Sequence, residues 1–270
     1  MKNVRRRWWI AASIAGLLVA GWAVFHPEPR LEASAVPPSV RAELAKTGFS
    51  AIQGIRHARF ASTESIVGVA ENWEFEQKLS RADDLITEKR STRNARAAID
   101  ESIGLYVGPF AVIRMNRARP PIVGNLLPYH LWNTTRISDF RIDEISGFPA
   151  TKNAKMRGRI TYEHRYPEGE LAQIERCQLS CIVADEVDAR SINTALTGKA
   201  FRIECQEDLE PDGRQLGPTN PGTSEVDHIR YAHWYVESRG WSIPIEGSMQ
   251  VRLTDIRGTR EWSSRLIAFE

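Results

Sequence analysis

Residues 8–25, WWIAASIAGLLVAGWAVF, carry no charged side chain, and no other stretch limits the possible fates of the chain as sharply. As a helix the run reaches about 27 Å, at about 1.5 Å per residue, against a hydrocarbon core of about 30 Å. Trp8 and Trp9 stand at one edge and Trp22 near the other, where indole rings favour the headgroup level. Lys2 and Arg5, Arg6 and Arg7 come first, so the positive-inside rule leaves the N-terminus in the cytoplasm. This pattern predicts a cytoplasmic tail over 1–7 and a single-pass transmembrane signal anchor over 8–25. The rest is then periplasmic, and the protein belongs to a bacterial inner membrane. The competing reading is a cleaved signal peptide. Ala33-Ser34-Ala35 fits a small-residue cleavage site, but HPEPRLE separates it from the apolar run.

Charge narrows the partners. The formal net charge is +2, from 36 basic and 34 acidic residues. The four basic residues of the tail face no acid there, and removing them leaves 32 against 34. The exported part has no basic patch to follow a phosphate backbone, which excludes nucleic acid as a partner.

Residues 26–38 hold four prolines and read as an extended spacer. Residues 39–105 read as helical. SVRAELAKTG has Ser39 as N-cap and Gly48 as stop. Further on, Phe75, Leu79, Ala82 and Ile86 recur at spacings of three and four, which predicts an apolar helix stripe over part of 74–103. From residue 106 to residue 270 the pattern is strand after strand. In RITYEHRY, Ile160, Tyr162, His164 and Tyr166 alternate with Arg159, Thr161, Glu163 and Arg165. The predicted class is α+β, a helical segment packed on a mainly antiparallel sheet.

There are three cysteines. Cys177 and Cys181 are four apart in a strand pattern, about 13 Å, too far to bridge one another. Pairing the two strands with Cys177 opposite Cys205 gives one apolar and one polar face. Placing Cys181 opposite Cys205 sets Asp185 against Phe201, which is worse. The expectation is therefore a Cys177–Cys205 disulfide with Cys181 a free thiol. A metal or thioredoxin-type role finds neither the further ligands nor the spacing, and no cofactor is implied.

The familiar nucleophile, zinc and phosphate-loop motifs are missing. Candidates for chemistry are Asp227 beside His228, with His233 on the same aromatic strand, and His130 in a proline-rich loop. In a regular strand His228 and His233 point to opposite faces, so an aromatic strand packed on a core explains them as well. With no catalytic signature, the expected role is contact with a partner in an envelope assembly, as subunit or inhibitor. The alternatives are an anchored hydrolase acting on cell-wall or glycan material, and a small-ligand binding module.

Overall fold

Strand follows strand from His57 to Phe269. The computed structural model describes residues 29, 31–50, 52–54, 57–66, 69–94, 99–118, 132–166, 169–217, 224–253 and 256–270. A short 3-10 turn, Ala33–Ala35, and one α-helix, α1 (Pro38–Ala45), precede the strands. These are β1 (His57–Ile66), β2 (Val69–Ala82), β3 (Leu85–Asn94), β4 (Ile99–Val107), β5 (Phe110–Ala118) and β6 (Asn133–Ser146). There follow β7 (Lys155–Arg165), β8 (Leu171–Asp188), β9 (Lys199–Leu216), β10 (Ser224–Val236), β11 (Trp241–Leu253) and β12 (Ile256–Phe269). Each pairs antiparallel with its neighbour in sequence, and β12 returns to β1, so the sheet closes into a barrel. Closure removes every sheet edge.

The expected α+β class is thereby corrected. Of region 39–105, only the stretch up to Ala45 is α-helical among the described residues. Helix α1 begins with proline in its first turn and buries Val40 and Leu44, a spacing of four that puts both on one face. The stripe over Phe75, Leu79, Ala82 and Ile86 belongs to β2 and β3. Phe75, Gln77 and Leu79 are buried, while Glu74, Glu76, Lys78 and Ser80 are exposed. The true period is two. The polar Gln77 on the buried side concealed it.

The transmembrane expectation is corrected as well. Residues 8–25 lie outside the described residues, and no helix among the described residues is long and apolar enough to cross a membrane. The folded unit is a β-barrel, and the described residues contain no single-pass helical anchor to carry the inner-membrane location drawn from one. On β2 the outward row, Glu74, Glu76 and Lys78, is charged. That is the reverse of the apolar outward band of a membrane-spanning barrel.

The cysteine pairing is corrected too. The bridge joins Cys181 to Cys205, across a sequence separation of 24, and Cys177 is the buried free thiol. Cys181 stands directly opposite Cys205. A β-bulge between Val183 and Asp185 shifts the register by one residue and sets Asp185 opposite Arg202 instead of Phe201. The clash that argued against this register never arises.

One end of the barrel is capped. The turns after β2, β4, β6, β8 and β10 all lie at that end, because the strands alternate in direction. The Phe49 ring sits among Phe110, Phe148 and Tyr235, with centroids 6.1, 5.5 and 4.9 Å away. The Ser50 amide donates to the Tyr235 hydroxyl at 3.0 Å, and the Gln53 amide to the Arg239 carbonyl at 2.8 Å. The segment after α1 therefore runs across the turn ends. Gly108 makes room for it. Its φ is +54°, and a Cβ there would lie 2.5 Å from the Phe49 ring. Near this end adjacent residues are both buried, Ala200 with Phe201 and Tyr235 with Val236. Each face of β9 and β10 is covered there, by separate apolar clusters.

Candidate functional site in the barrel lumen

Away from the cap, the inward row changes character. On β5 the buried Phe110 and Val112 lead through a bulge to Arg114, which faces Gly104. On β7, Met156 and Ile160 give way to Tyr162 and His164. On β8, Val183 and Leu179 give way to Glu175, and on β10 Tyr235 gives way to His233 and Tyr231. The register ties these positions into a belt. Gln77 faces Arg90, Arg90 faces Ser102, Gly104 faces Arg114, Arg114 faces Thr135 and Thr135 faces His164. Beyond that, Tyr162 faces Glu175 and Glu175 faces Arg214. Gly104 adds no side chain, and the Tyr106 ring takes its place, 2.4 Å from where a Cβ would stand. Although these side chains point inward, Arg90 keeps 23% of its side-chain surface accessible and His164 keeps 32%. These inward groups are polar and only partly covered, and a barrel of more than eight strands has room for them.

Three clusters make up the belt. In the first, Gln77 Nε2 donates to Glu88 Oε2 at 3.1 Å and Arg90 Nε to Glu88 Oε1 at 3.0 Å, while the Arg90 guanidinium lies 4.7 Å from the Phe75 ring centroid. Burial, with the Glu88 carboxylate beside it, raises the Tyr106 phenol. In the second, the Tyr162 and Tyr231 hydroxyls donate to the two oxygens of Glu207 at 3.0 and 2.8 Å. Burial raises the Glu207 carboxyl, and the two phenol hydrogen bonds offset only part of that. Both phenols are pushed well up by burial and by Glu207, so they remain donors. Cys177 lies beside this cluster, and burial followed by the Glu207 charge pushes its thiol up to about 12. Such a thiol is inert at neutral pH.

The third cluster is linear. Thr135 Oγ1 lies 3.1 Å from His164 Nδ1, and His164 Nε2 lies 3.1 Å from Glu175 Oε2. Arg214 Nη2 donates to Glu175 Oε1 at 3.2 Å. Burial works to raise the Glu175 carboxyl, but the hydrogen bond from His164 and the Arg214 charge more than offset it and hold it below the usual range.

The belt also carries polar atoms that nothing satisfies. Seven buried side-chain nitrogens or oxygens among the described residues have no hydrogen-bond partner. Five of them, Trp73 Nε1, Gln77 Oε1, Arg114 Nε, His233 Nδ1 and Ser242 Oγ, belong to inward-facing residues. Each costs about 1–3 kcal/mol unless something fills the space.

The candidates read from the sequence separate here. His233 joins the lumen, where burial and the Arg90 charge push it down to about 3. His228 lies on the other face of β10, with its Nδ1 against the Asp208 carboxylate. Asp227 is exposed and accepts from Arg214 at 3.3 Å. His130 lies outside the described residues. His228 and His233 thus do not converge, as their spacing implied. Sequence reasoning missed Arg114, Thr135, Glu175 and Glu207. The one usable signal was His164, on the aromatic face of RITYEHRY beside Tyr162. The described residues bring together no three His, Cys, Asp or Glu side chains able to hold a metal ion.

A second concavity lies outside. The outward rows of β7 to β12 and β1 line a groove of about 890 Å³, with Arg157, Arg230, Glu204 and Glu261 around Arg202. Arg202 bridges Glu204 and Glu246 at 2.9 and 2.5 Å.

Comparison with known protein families, with curated proteins and with solved structures finds no match. The class of the protein is therefore defined by its own geometry, a closed antiparallel barrel with one capped end and a polar lumen.

Proposed function

We propose that the barrel binds a small carboxylate-bearing molecule in the polar part of its lumen. The observation that carries this reading is Arg114. Its guanidinium faces inward, its Nε is buried without a hydrogen-bond partner, and it has no carboxylate partner among the described residues. A guanidinium cannot shed its charge, and a carboxylate is the group that matches its fork of donors. Trp73, Phe75, Tyr106 and Tyr162 on the same inward rows supply apolar contact for the body of the ligand. The test is calorimetric titration of the full chain with butyrate and octanoate against the matching alcohols. Binding of the acids but not the alcohols, lost in Arg114→Met, is the expected result. Acids and alcohols behaving alike would remove the reading.

A second reading, contact with a protein partner, draws on the outer groove and its interleaved charges. Arg202 at its centre holds two carboxylates from different strands, which makes a polar and geometrically fixed surface. Crosslinked pull-down with Arg230→Glu as control tests it. A stoichiometric partner lost in that variant supports it, and recovery of the same proteins with both forms removes it.

A further inference from the structure

We infer that the same lumen hydrolyses small carboxylic esters, with Thr135 as nucleophile and His164 as its base. This rests on the ligand-binding reading above. Thr135, His164 and Glu175 form one hydrogen-bonded series. Glu175 is held ionised by His164 and Arg214, so it only accepts. The His164 proton is then on Nε2, 3.1 Å from Glu175 Oε2. That leaves the Nδ1 lone pair to face the Thr135 hydroxyl, at 3.1 Å. Hydroxyl, imidazole and carboxylate in series is how a weak oxygen nucleophile is activated, whatever the fold.

Two further features turn a hydrogen-bond network into a site. Arg114 is directly opposite Thr135 on the neighbouring strand, where Cβ atoms stand about 5 Å apart. Its unpartnered Nε is a donor free for an oxygen that becomes negative beside the Thr135 hydroxyl. His164 keeps 32% of its side-chain surface accessible, so it is not sealed in packing. Arg214 and Gln173 approach Glu175 from the side away from the imidazole, through Oε1, and fix the carboxylate. Thr135, His164 and Arg114 are thus the catalytic residues, and Glu175 is a positioning residue.

The steps balance without a further reagent. Thr135 Oγ attacks the ester carbonyl carbon while His164 Nδ1 takes its proton, and the carbonyl oxygen becomes an oxyanion facing Arg114. The oxyanion collapses and the bond to the alcohol oxygen breaks. The leaving alkoxide takes the proton from His164. Water, deprotonated by His164, then attacks the acyl-threonine. The Thr135 Cβ–Oγ bond stays intact, the acyl C–O bond breaks, and Thr135 recovers its proton. The products are the alcohol and a carboxylate beside Arg114, the ligand class already read for the lumen.

The full chain is incubated with an alkyl fluorophosphonate and, separately, with p-nitrophenyl butyrate, and butyrate binding is measured on every variant. The expected result is one phosphonyl group mapped to Thr135 by peptide mass spectrometry, absent in Thr135→Val and His164→Gln. Butyrate ester turnover falls at least tenfold in both variants, and Thr135→Ser retains it. Glu175→Gln lowers kcat with KM unchanged, and Glu175→Asp restores part of the loss, which a merely structural carboxylate would not do. Butyrate binding without label or turnover overturns the hydrolytic inference and leaves the binding reading standing. Failure of butyrate to bind overturns both, and Thr135→Val variants that hydrolyse as fast as the parent overturn the assignment.

Discussion

Arg114 sets the balance between stability and function at the level of a single side chain. Its buried Nε has no partner, so the ligand-free barrel carries an uncompensated donor worth about 1–3 kcal/mol. Arg114→Met keeps the length of the side chain and removes the donor. The expected outcome in urea denaturation is a ligand-free barrel more stable by about 1 kcal/mol, and an unchanged or lower midpoint would mean the guanidinium is already satisfied. His233 gives a pH signature of its own. Burial and the facing Arg90 charge push it down to about 3, from an ordinary 6.5. As pH falls, the unfolded chain takes up this proton first, so the stability is complete above about 6.5 and drains away below it. The slope approaches about 1.4 kcal/mol per pH unit at most. Glu175 and Glu163 are held low, so their contribution is also lost in acid, but only once unfolded glutamates protonate near 4.3. Between about 6.5 and about 4.5 the loss comes from His233, and the raised Glu207 carboxyl, which takes up its proton earlier in the folded state, works against it, so His233→Gln is expected to remove the fall and leave the Glu207 contribution. Equal slopes in that window for parent and variant would show that the ring protonates inside the fold.

A polar lumen hides strands from a reader of sequence, and this accounts for most of what was illegible. Outward positions on β2 are charged, but inward positions on β2, β3 and β4 hold Gln77, Glu88, Arg90 and Ser102. With polar groups on each face the period of two loses its contrast, and chance spacings such as Phe75, Leu79, Ala82 and Ile86 read as a helix. On β7, β8 and β9 the inward row stays apolar nearer the cap, with Met156, Leu179, Val183 and Ile203 buried. There the antiparallel sheet was legible and so was the pairing of β8 with β9. The register was not, because it turns on a bulge between Val183 and Asp185 that no residue type announces. The candidate site was legible only at His233 and in the Tyr162 and His164 face, since its other members gather from separate strands. The disulfide yields a direct check. Alkylation of the unreduced chain in denaturant is expected to mark Cys177 alone, and Cys181 and Cys205 only after reduction. Before denaturation, iodoacetamide at pH 8 is expected to leave Cys177 unmodified, because its thiol titrates at about 12. A labelled Cys205 without reduction would overturn the β8–β9 register.

The barrel divides its work along its length. Apolar packing and the Phe49 cap hold one end, and the unsatisfied polar belt occupies the inward rows beyond it. If the capped end supplies stability and the belt supplies recognition, substitutions at the two ends act independently. Phe49 is half-buried among three aromatic rings, so Phe49→Ala is expected to cost about 2 kcal/mol, below the range for a fully buried phenylalanine. Arg114→Met acts in the opposite direction on stability and removes carboxylate binding. The double variant Phe49→Ala, Arg114→Met should show stability changes that add to within about 0.5 kcal/mol, as for sites without shared partners. Butyrate affinity should follow Arg114 alone. The measurement is a four-variant cycle of urea denaturation and calorimetric titration, at a temperature where each variant is folded. A folded Phe49→Ala barrel that no longer binds butyrate would sink the division. It would mean that the cap, through the turns after β4, β6 and β10 that it crosses, sets the spacing of the inward rows, and that the lumen is shaped from the closed end.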